Sequence, residues 1–237
     1  IATLRKFSIS VKQKPVIAII QTGNELTEPY ETLYSHQITA SNATALISLI
    51  EKAGAIPCYI GIVSDSLDKM TKIISEVRAD IIITTGGVSV GDYDLVEKAI
   101  IPLGFERIFW KVSIKPGKPM LFGHIDDTLF FGLPGNPVSS VVCFDQFVKS
   151  AISAILQATA IPKKFLVYTS ESIKKNQRKT VMLGKYIFDQ EGGKVTPLKH
   201  QGSGSISLFA EANCYIIVPE GEGNISQGSF VEIEMFS

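Results

Sequence analysis

The chain has 237 residues, 45% hydrophobic and 19% charged, so a sizeable core is available and wholesale disorder is excluded. Lysine plus arginine (23) equals aspartate plus glutamate (23), and without a basic excess no nucleic acid is expected as a partner. Three widely spaced cysteines, Cys58, Cys143 and Cys214, form no CxxC, which argues against a disulfide framework or a zinc site; with no signal peptide in view, a reducing cytoplasm is the expected location.

The first residue is Ile1 rather than Met, so the chain reads as a fragment, with residues 1–14 a linker or the remnant of a preceding domain. From 15 to 161 strand-like and helix-like segments alternate. Val16 to Ile20 is a continuous apolar run, the mark of a strand covered on both faces. Ala43, Leu46, Ile47, Leu49 and Ile50 recur at helical spacing, and Gly54 stands where a helix ends. Ile56 to Val63 is a second strand. Ser66 can cap a helix whose apolar face carries Leu67, Met70, Ile73, Ile74 and Val77. Asp80 to Thr84 is a third strand, followed by a glycine-rich turn and a helix from about Tyr93 to Ile100. This alternation predicts a three-layer α/β domain with a mostly parallel sheet. Strands near 107–114, 119–124 and 128–132 follow without helices, and Asp126-Asp127 suits a hairpin, so the sheet should be mixed with an antiparallel edge. The most apolar stretch, Val138 to Ile161, is interrupted by Asp145 and Lys149 and reads as a buried helix rather than a membrane span. Cys58 and Cys143 fall on apolar faces and are expected in the core, Trp110 reads as a packing residue, and His36, His124 and His200 carry no metal or catalytic pattern.

After Ile161 the character changes. Segments 165–171, 180–188, 194–198, 214–219 and 229–235 read as short strands separated by Gly, Asn and Pro, predicting a small all-β, barrel-like domain over 162–237. Its charge is segregated. Residues 163–199 hold nine lysines and arginines against three acids, and 200–237 hold five glutamates and no lysine or arginine, a rim suited to a small anion.

Four loops carry the chemistry. Thr84-Thr85-Gly86-Gly87-Val88-Ser89-Val90-Gly91-Asp92-Tyr93-Asp94 leaves a buried strand and opens a helix, so backbone N–H groups converge on one point and attract a phosphate or another oxyanion. It matches neither a Walker A loop nor GxGxxG, and a plain strand-to-helix turn capped by Asp92 explains it equally well. Beside bound phosphates, Asp92 and Asp94 could jointly carry Mg²⁺, which takes one or two carboxylates plus substrate oxygens. Lys115-Pro116-Gly117-Lys118-Pro119 sets two point charges on a stiff support, where Gly117 permits close approach of a ligand. Leu133-Pro134-Gly135-Asn136-Pro137-Val138-Ser139-Ser140 ends a strand and begins a helix, with Asn136 the N-cap and Pro137 in the first turn. Thr22-Gly23-Asn24-Glu25 follows the first strand. Three of these loops leave the carboxyl ends of strands, where open α/β sheets hold their ligands.

These four motifs, in this order, resemble the molybdopterin molybdenumtransferases, the MoeA family related to the gephyrin E domain. Residues 200–223 (HQGSGSISLFAEANCYIIVPEGEG) resemble the family's C-terminal domain. The resemblance covers about residues 10–236. It implies a molybdopterin-binding α/β domain, MogA-like in fold, followed by a β-barrel-like domain. It further implies a transferase of molybdenum cofactor biosynthesis that inserts molybdate into adenylylated molybdopterin and releases AMP with Mg²⁺ assistance. Family members carry further N-terminal regions, form homodimers whose neighbouring subunit completes the cleft, and receive their substrate from the adenylyltransferase of the same pathway; a fragment lacking those regions should fold yet be poorly active alone. By the resemblance, Asp94 and Glu25 are the catalytic acids and Asp94 with Asp92 the metal ligands. Substrate-binding positions are Thr22, Gly86, Gly87, Val88, Ser89, Gly91, Lys115, Lys118, Pro134, Gly135, Asn136, Ser139, Arg178 and Ser203.

The sequence departs from the family at a usual arginine pair: Arg178 stands at the first position and Leu183 at the second, where an apolar side chain replaces an anion contact. His36 and Ala40 stand where a Gly and an Asp are frequent. Two other readings stay open: a non-catalytic module that binds molybdopterin or a partner, and the molybdopterin adenylyltransferase, which shares the α/β half but lacks the β domain and the LPGNP loop.

Overall fold

The computed structural model describes residues 1–87, 95–158, 164–190, 192–199, 201–202, 204 and 206–236. In chain order the first part comprises β1 (Val16–Thr22), β2 (Leu26–Thr27), β3 (Ile38–Thr39), α1 (Asn42–Lys52), β4 (Ile56–Val63), α2 (Leu67–Glu76), β5 (Ile81–Thr85), α3 (Leu95–Ile100), β6 (Glu106–Trp110), β7 (Ile114–Lys115), β8 (Leu121–Ile125) and β9 (Thr128–Leu133). Then α4 (Pro137–Cys143) passes through a π-helical turn (Phe144–Val148) into α5 (Lys149–Leu156). The main sheet has the order β4-β1-β5-β9-β8-β6. Its first four strands run parallel, and β8 turns back on β9 through the Asp126-Asp127 hairpin.

The central strand explains the layering. β1 alternates its side chains between two cores, as a pleated strand covered on both faces must. Ile17 and Ile19 pack with Leu46 and Ile50 of α1 and with Phe144, Val148 and Ile152, whereas Ala18 and Ile20 pack with Met70 and Ile74 of α2 and Val96 and Ala99 of α3. The helical stretch Pro137–Leu156 is long and apolar enough to cross a bilayer by length and composition alone. Here Val142, Cys143, Phe144, Val148 and Ile152 are fully buried in the protein core. Cys143 is therefore a core residue, but Cys58 is exposed. The reason is position: β4 is an edge strand, and Ile56, Cys58 and Ile60 stand together on a face that is left uncovered.

The second part comprises β10 (Lys164–Thr169), β11 (Ile173–Lys174), β12 (Lys179–Asp189), β13 (Gly192–Pro197), α6 (Leu208–Glu211), β14 (Cys214–Val218), β15 (Asn224–Ile225) and β16 (Phe230–Met235). Five strands close on themselves in the ring β13-β10-β16-β14-β12, because β12 also pairs with β13. Val167, Val195, Cys214, Ile216, Val218, Val231 and Ile233 fill this barrel. The barrel-like expectation thus takes the form of a closed five-stranded ring, and β11 with β15 forms a separate two-stranded ribbon on it.

The two parts share a seam. β7 pairs in parallel with the start of β12, Ile114 opposite Lys179 and Lys115 opposite Thr180, so one strand of the α/β part extends the barrel's sheet. Ile114, Val138, Val142, Val181, Leu183, Tyr215 and Ile217 form an apolar cluster across it. At its margin the Tyr215 hydroxyl donates to Asp145 Oδ2 at 2.6 Å, and Gln146 Nε2 donates to Glu234 Oε2 at 3.2 Å.

Burial raises the Asp145 carboxyl above the ordinary carboxylate range, against the opposing pull of the Tyr215 hydrogen bond and of Lys149. A carboxyl that binds its proton more tightly folded than unfolded favours folding below the unfolded value, and that contribution is lost as pH rises through the folded value. Asp145→Asn keeps an acceptor for Tyr215 and removes the titration. Its melting temperature relative to the wild type is expected to rise with pH across a window that opens at about pH 4, the ordinary carboxylate value, and extends upward. Thermal melts of both proteins across that window check this, and a constant difference would contradict it.

Candidate functional site

Three of the motif loops meet at the carboxyl ends of β1, β5 and β9. The Gly86 N–H donates to Leu133 O at 3.1 Å, which ties the β5 loop to the end of β9. A Cβ built on Gly86 (φ 91°) would stand 2.6 Å from Thr22 O, so the β5 loop can lie on the β1 loop only because this residue is glycine. Asn42, in the first turn of α1, donates from Nδ2 to Gly135 O at 2.7 Å and holds the β9 loop from the other side. The resulting cleft measures about 740 Å³ and is lined by Thr22, Glu25, Gly86, Gly87, Pro134, Gly135 and Asn136 among others. Asn42 Oδ1 and Thr85 Oγ1, both buried on residues of this cleft, have no hydrogen-bond partner among the described residues. Unsatisfied polar atoms at this depth are unusual and fit a polar ligand.

Glu25 is exposed at the cleft's edge, and its backbone carbonyl accepts from the Ile38 N–H at 2.8 Å. Asp65, which also lines the cleft, accepts from the Asn24 N–H at 3.3 Å through Oδ2 and donates its own N–H to Asn24 Oδ1 at 3.0 Å. The expected positions Val88, Ser89, Gly91, Asp92, Asp94 and Ser203 lie outside the described residues. Among the described residues no group of three or more His, Cys, Asp and Glu is gathered for a metal. Glu25 and Asp65 nevertheless give the cleft two carboxylates, the donor class that magnesium takes beside substrate phosphates.

The remaining expected residues form a second cleft, of about 550 Å³, at the seam. Lys115, Lys118, Ser139 and Arg178 line it together, and Pro119 lines both clefts. The loop bearing the two lysines is held at several points. Lys118 O accepts from the Val112 and Met120 N–H groups, each at 3.0 Å, and the Cys143 thiol lies 3.7 Å from Gly117 O. Gly117 (φ 112°) is pressed against Cys143, whose sulfur would stand 2.5 Å from an added Cβ. Burial pushes the Cys143 thiol up to about 12, so it acts here as a neutral packing group. Arg178 Nη1 donates to Ile114 O at 3.0 Å, fixing the guanidinium of the barrel part to the strand that precedes the lysine loop.

The motifs therefore divide between two adjoining clefts. The Leu133–Ser140 loop serves both, its beginning the first and Ser139, 4% exposed, the second. Asn136 occupies the N-cap position of α4 as expected, although its side chain makes no capping hydrogen bond, and the same is true of Ser66 at α2. Leu183 is buried in the seam cluster and Met182 lines the cleft instead, so the departure at this position is absorbed as packing. Sequence reading missed Lys174, Asn176, Thr180 and Gln201 in the second cleft. Gln201 binds Leu183 at both its N–H (2.8 Å) and its O (3.0 Å). Apart from the basic excess over 163–199, nothing in the sequence marks this group, because β11 has only two residues.

Comparison with known proteins agrees with this architecture. The family described as "Probable molybdopterin binding domain" matches residues 18–154, and the MoeA C-terminal region (domain IV) matches residues 167–236. A molybdopterin molybdenumtransferase of Bacillus subtilis (strain 168) is 35% identical over 98% of this chain and 55% of its own length. One from Haemophilus influenzae is 35% identical over 93% of this chain and 56% of its own. The crystal structure of the molybdopterin biosynthesis MoeA protein from Pyrococcus horikoshii superposes with a TM-score of 0.81 at 27% identity, covering 94% of this chain and 55% of that one. The chain thus spans about half the length of the relatives it matches. With the first family pattern alone covering more than half of the residues and the second covering the barrel, the chain belongs to the molybdopterin-binding domain family, in its MoeA branch.

Proposed function

We propose that the chain takes part in molybdenum cofactor biosynthesis as a molybdopterin molybdenumtransferase, inserting molybdate into adenylylated molybdopterin with release of AMP. One observation carries the reading: a cationic cleft at the seam adjoins, at Pro119, a glycine-walled cleft at the carboxyl ends of parallel strands. A substrate with phosphates at one end and a reacting oxyanion at the other matches that pair.

In this reading Thr22, Gly86, Gly87, Pro134, Gly135 and Asn136, with Val88, Ser89 and Gly91, form the phosphate-bearing half of the site. Backbone amides and close-packed glycines favour an oxyanion there. Lys115, Lys118, Arg178 and Ser139, with Ser203, hold molybdate or the pterin phosphate. Cleaving a phosphoanhydride requires its charge to be neutralised in a preorganised site, and these groups would supply that neutralisation. Mg²⁺, carried by Asp94 and Asp92, would neutralise phosphate charge when bound. Glu25 and Asp94 act on the proton and charge that develop at the leaving group. Three free cysteines agree with a reducing cytoplasm. A homodimer whose partner completes the cleft, and delivery of substrate by the pathway's adenylyltransferase, belong to the same proposal.

Single turnover of adenylylated molybdopterin with molybdate and Mg²⁺, in excess protein, tests the activity. Molybdate-dependent AMP release is expected, and its rate should fall at least about a hundredfold in Asp94→Ala while the melting transition persists. Tight pterin binding without AMP release would favour the non-catalytic module instead.

Lys115→Ala combined with Lys118→Ala is expected to weaken molybdate binding roughly tenfold or more at low salt and less at high salt, because attraction to exposed point charges is screened. Calorimetric titration at two ionic strengths decides it. Equal affinity of variant and wild type would return both lysines to solvent.

A further inference from the structure

We infer that Lys174 is a specificity-determining residue of the seam cleft, which it makes selective for doubly over singly charged tetrahedral oxyanions. The inference rests on reading that cleft as the oxyanion site. Lys174 is absent from the sequence motifs because it lies on β11, a two-residue strand of the ribbon rather than a loop signature. Ile173 is 2% exposed and anchors the strand in the barrel core, so the alternation of a pleated strand turns the next side chain the other way, to the cleft lining. Its backbone is held against the segment at β15: Lys174 pairs with Asn224, and the Lys175 N–H donates to Gly223 O at 3.0 Å. Lys174 thereby lines the cleft from the barrel part, as Lys115 and Lys118 do from the α/β part, while Arg178 is bonded to Ile114 O of the strand before the lysine loop.

Four cations thus line the cleft, and among the described residues no aspartate or glutamate does. Of its neutral lining groups, Thr180 and Gln201 spend their side-chain donors on Arg178 O and on Leu183 O and Leu198 O, which leaves Ser139 and Asn176 to donate to an oxyanion. The cations outweigh these few donors, because each is a full charge whose attraction doubles from a singly to a doubly charged ligand. Shape is thereby set by the neutral groups and charge number by the lysines and arginine. Lys174 adds a fourth cation to that lining, carried by the ribbon rather than by the lysine loop.

Molybdate and perrhenate are tetrahedral oxyanions of nearly equal size carrying two charges and one. Calorimetric titration of each into the wild type, Lys174→Gln and Lys174→Arg at neutral pH and low salt tests the assignment. The wild type is expected to prefer molybdate. Lys174→Gln should lower that preference about fivefold, and Lys174→Arg should restore it. A purely structural role would weaken both anions equally, so an unchanged preference in Lys174→Gln overturns the inference while leaving the cleft an oxyanion site. Failure of the wild type to bind either anion overturns the oxyanion reading itself, and the role of Lys174 with it.

Discussion

Two residues of strand pairing decide how this molecule is put together. β7 lies against the first residues of β12, and that short ladder sets the α/β part and the barrel at one angle and one register. Backbone hydrogen bonds specify the register, but the apolar cluster of Ile114, Val138, Val142, Val181, Leu183, Tyr215 and Ile217 drives the contact, since burying such side chains contributes on the order of 2 kcal/mol each. Arg178 reinforces the ladder from its own side chain to Ile114 O. The lysine loop follows β7 directly, so the same ladder that joins the two bodies also determines where their positive charges meet.

Gathering four cations in one cleft is electrostatically unfavourable until an anion arrives, and the rest of the fold tolerates it in identifiable ways. All four side chains stem from backbone held by strand pairing or hydrogen bonds, so their points of attachment stay together. Solvent reaches the cleft and moderates their repulsion. The chain as a whole is neutral, because five glutamates and no lysine or arginine occupy residues 200–237. A balanced composition thus conceals a strongly polarised surface. That polarity is compatible with a small oxyanion.

The regular elements were legible because periodicity is visible in segments of five or more residues. β1, β4, α1, α2 and the barrel strands stand close to where apolar spacing places them. β2, β3, β7, β11 and β15 have two residues each, too few to show a period, and two of them build the seam cleft. Cys58 misled for a related reason: a run such as Ile56 to Val63 does not disclose whether its strand is central or at an edge. The motif loops announced themselves by glycine and proline, but their division between two clefts depends on tertiary placement. Leu133 to Ser140 spans both clefts within one helix turn, and nothing in the order of residues marks the point of division. Gln201 stayed hidden because its partners are the backbone of Leu183 and Leu198, which any side chain could have flanked.

The β7–β12 ladder also sets the unit in which this architecture can be inherited. A barrel transplanted onto another α/β scaffold would bring Arg178 and β12 but leave behind Ile114, its carbonyl and the lysine loop. The α/β part alone would keep the loop and expose Val138 and Val142 to water. Neither piece carries all four cations of the seam cleft, although each has its own core. Recombination at the obvious domain boundary would therefore yield chimeras that keep both cores and lose the cleft. In lineages that keep the seam cleft, the two parts should travel together, and exchange should be tolerated only where β7 and the start of β12 come from the same parent.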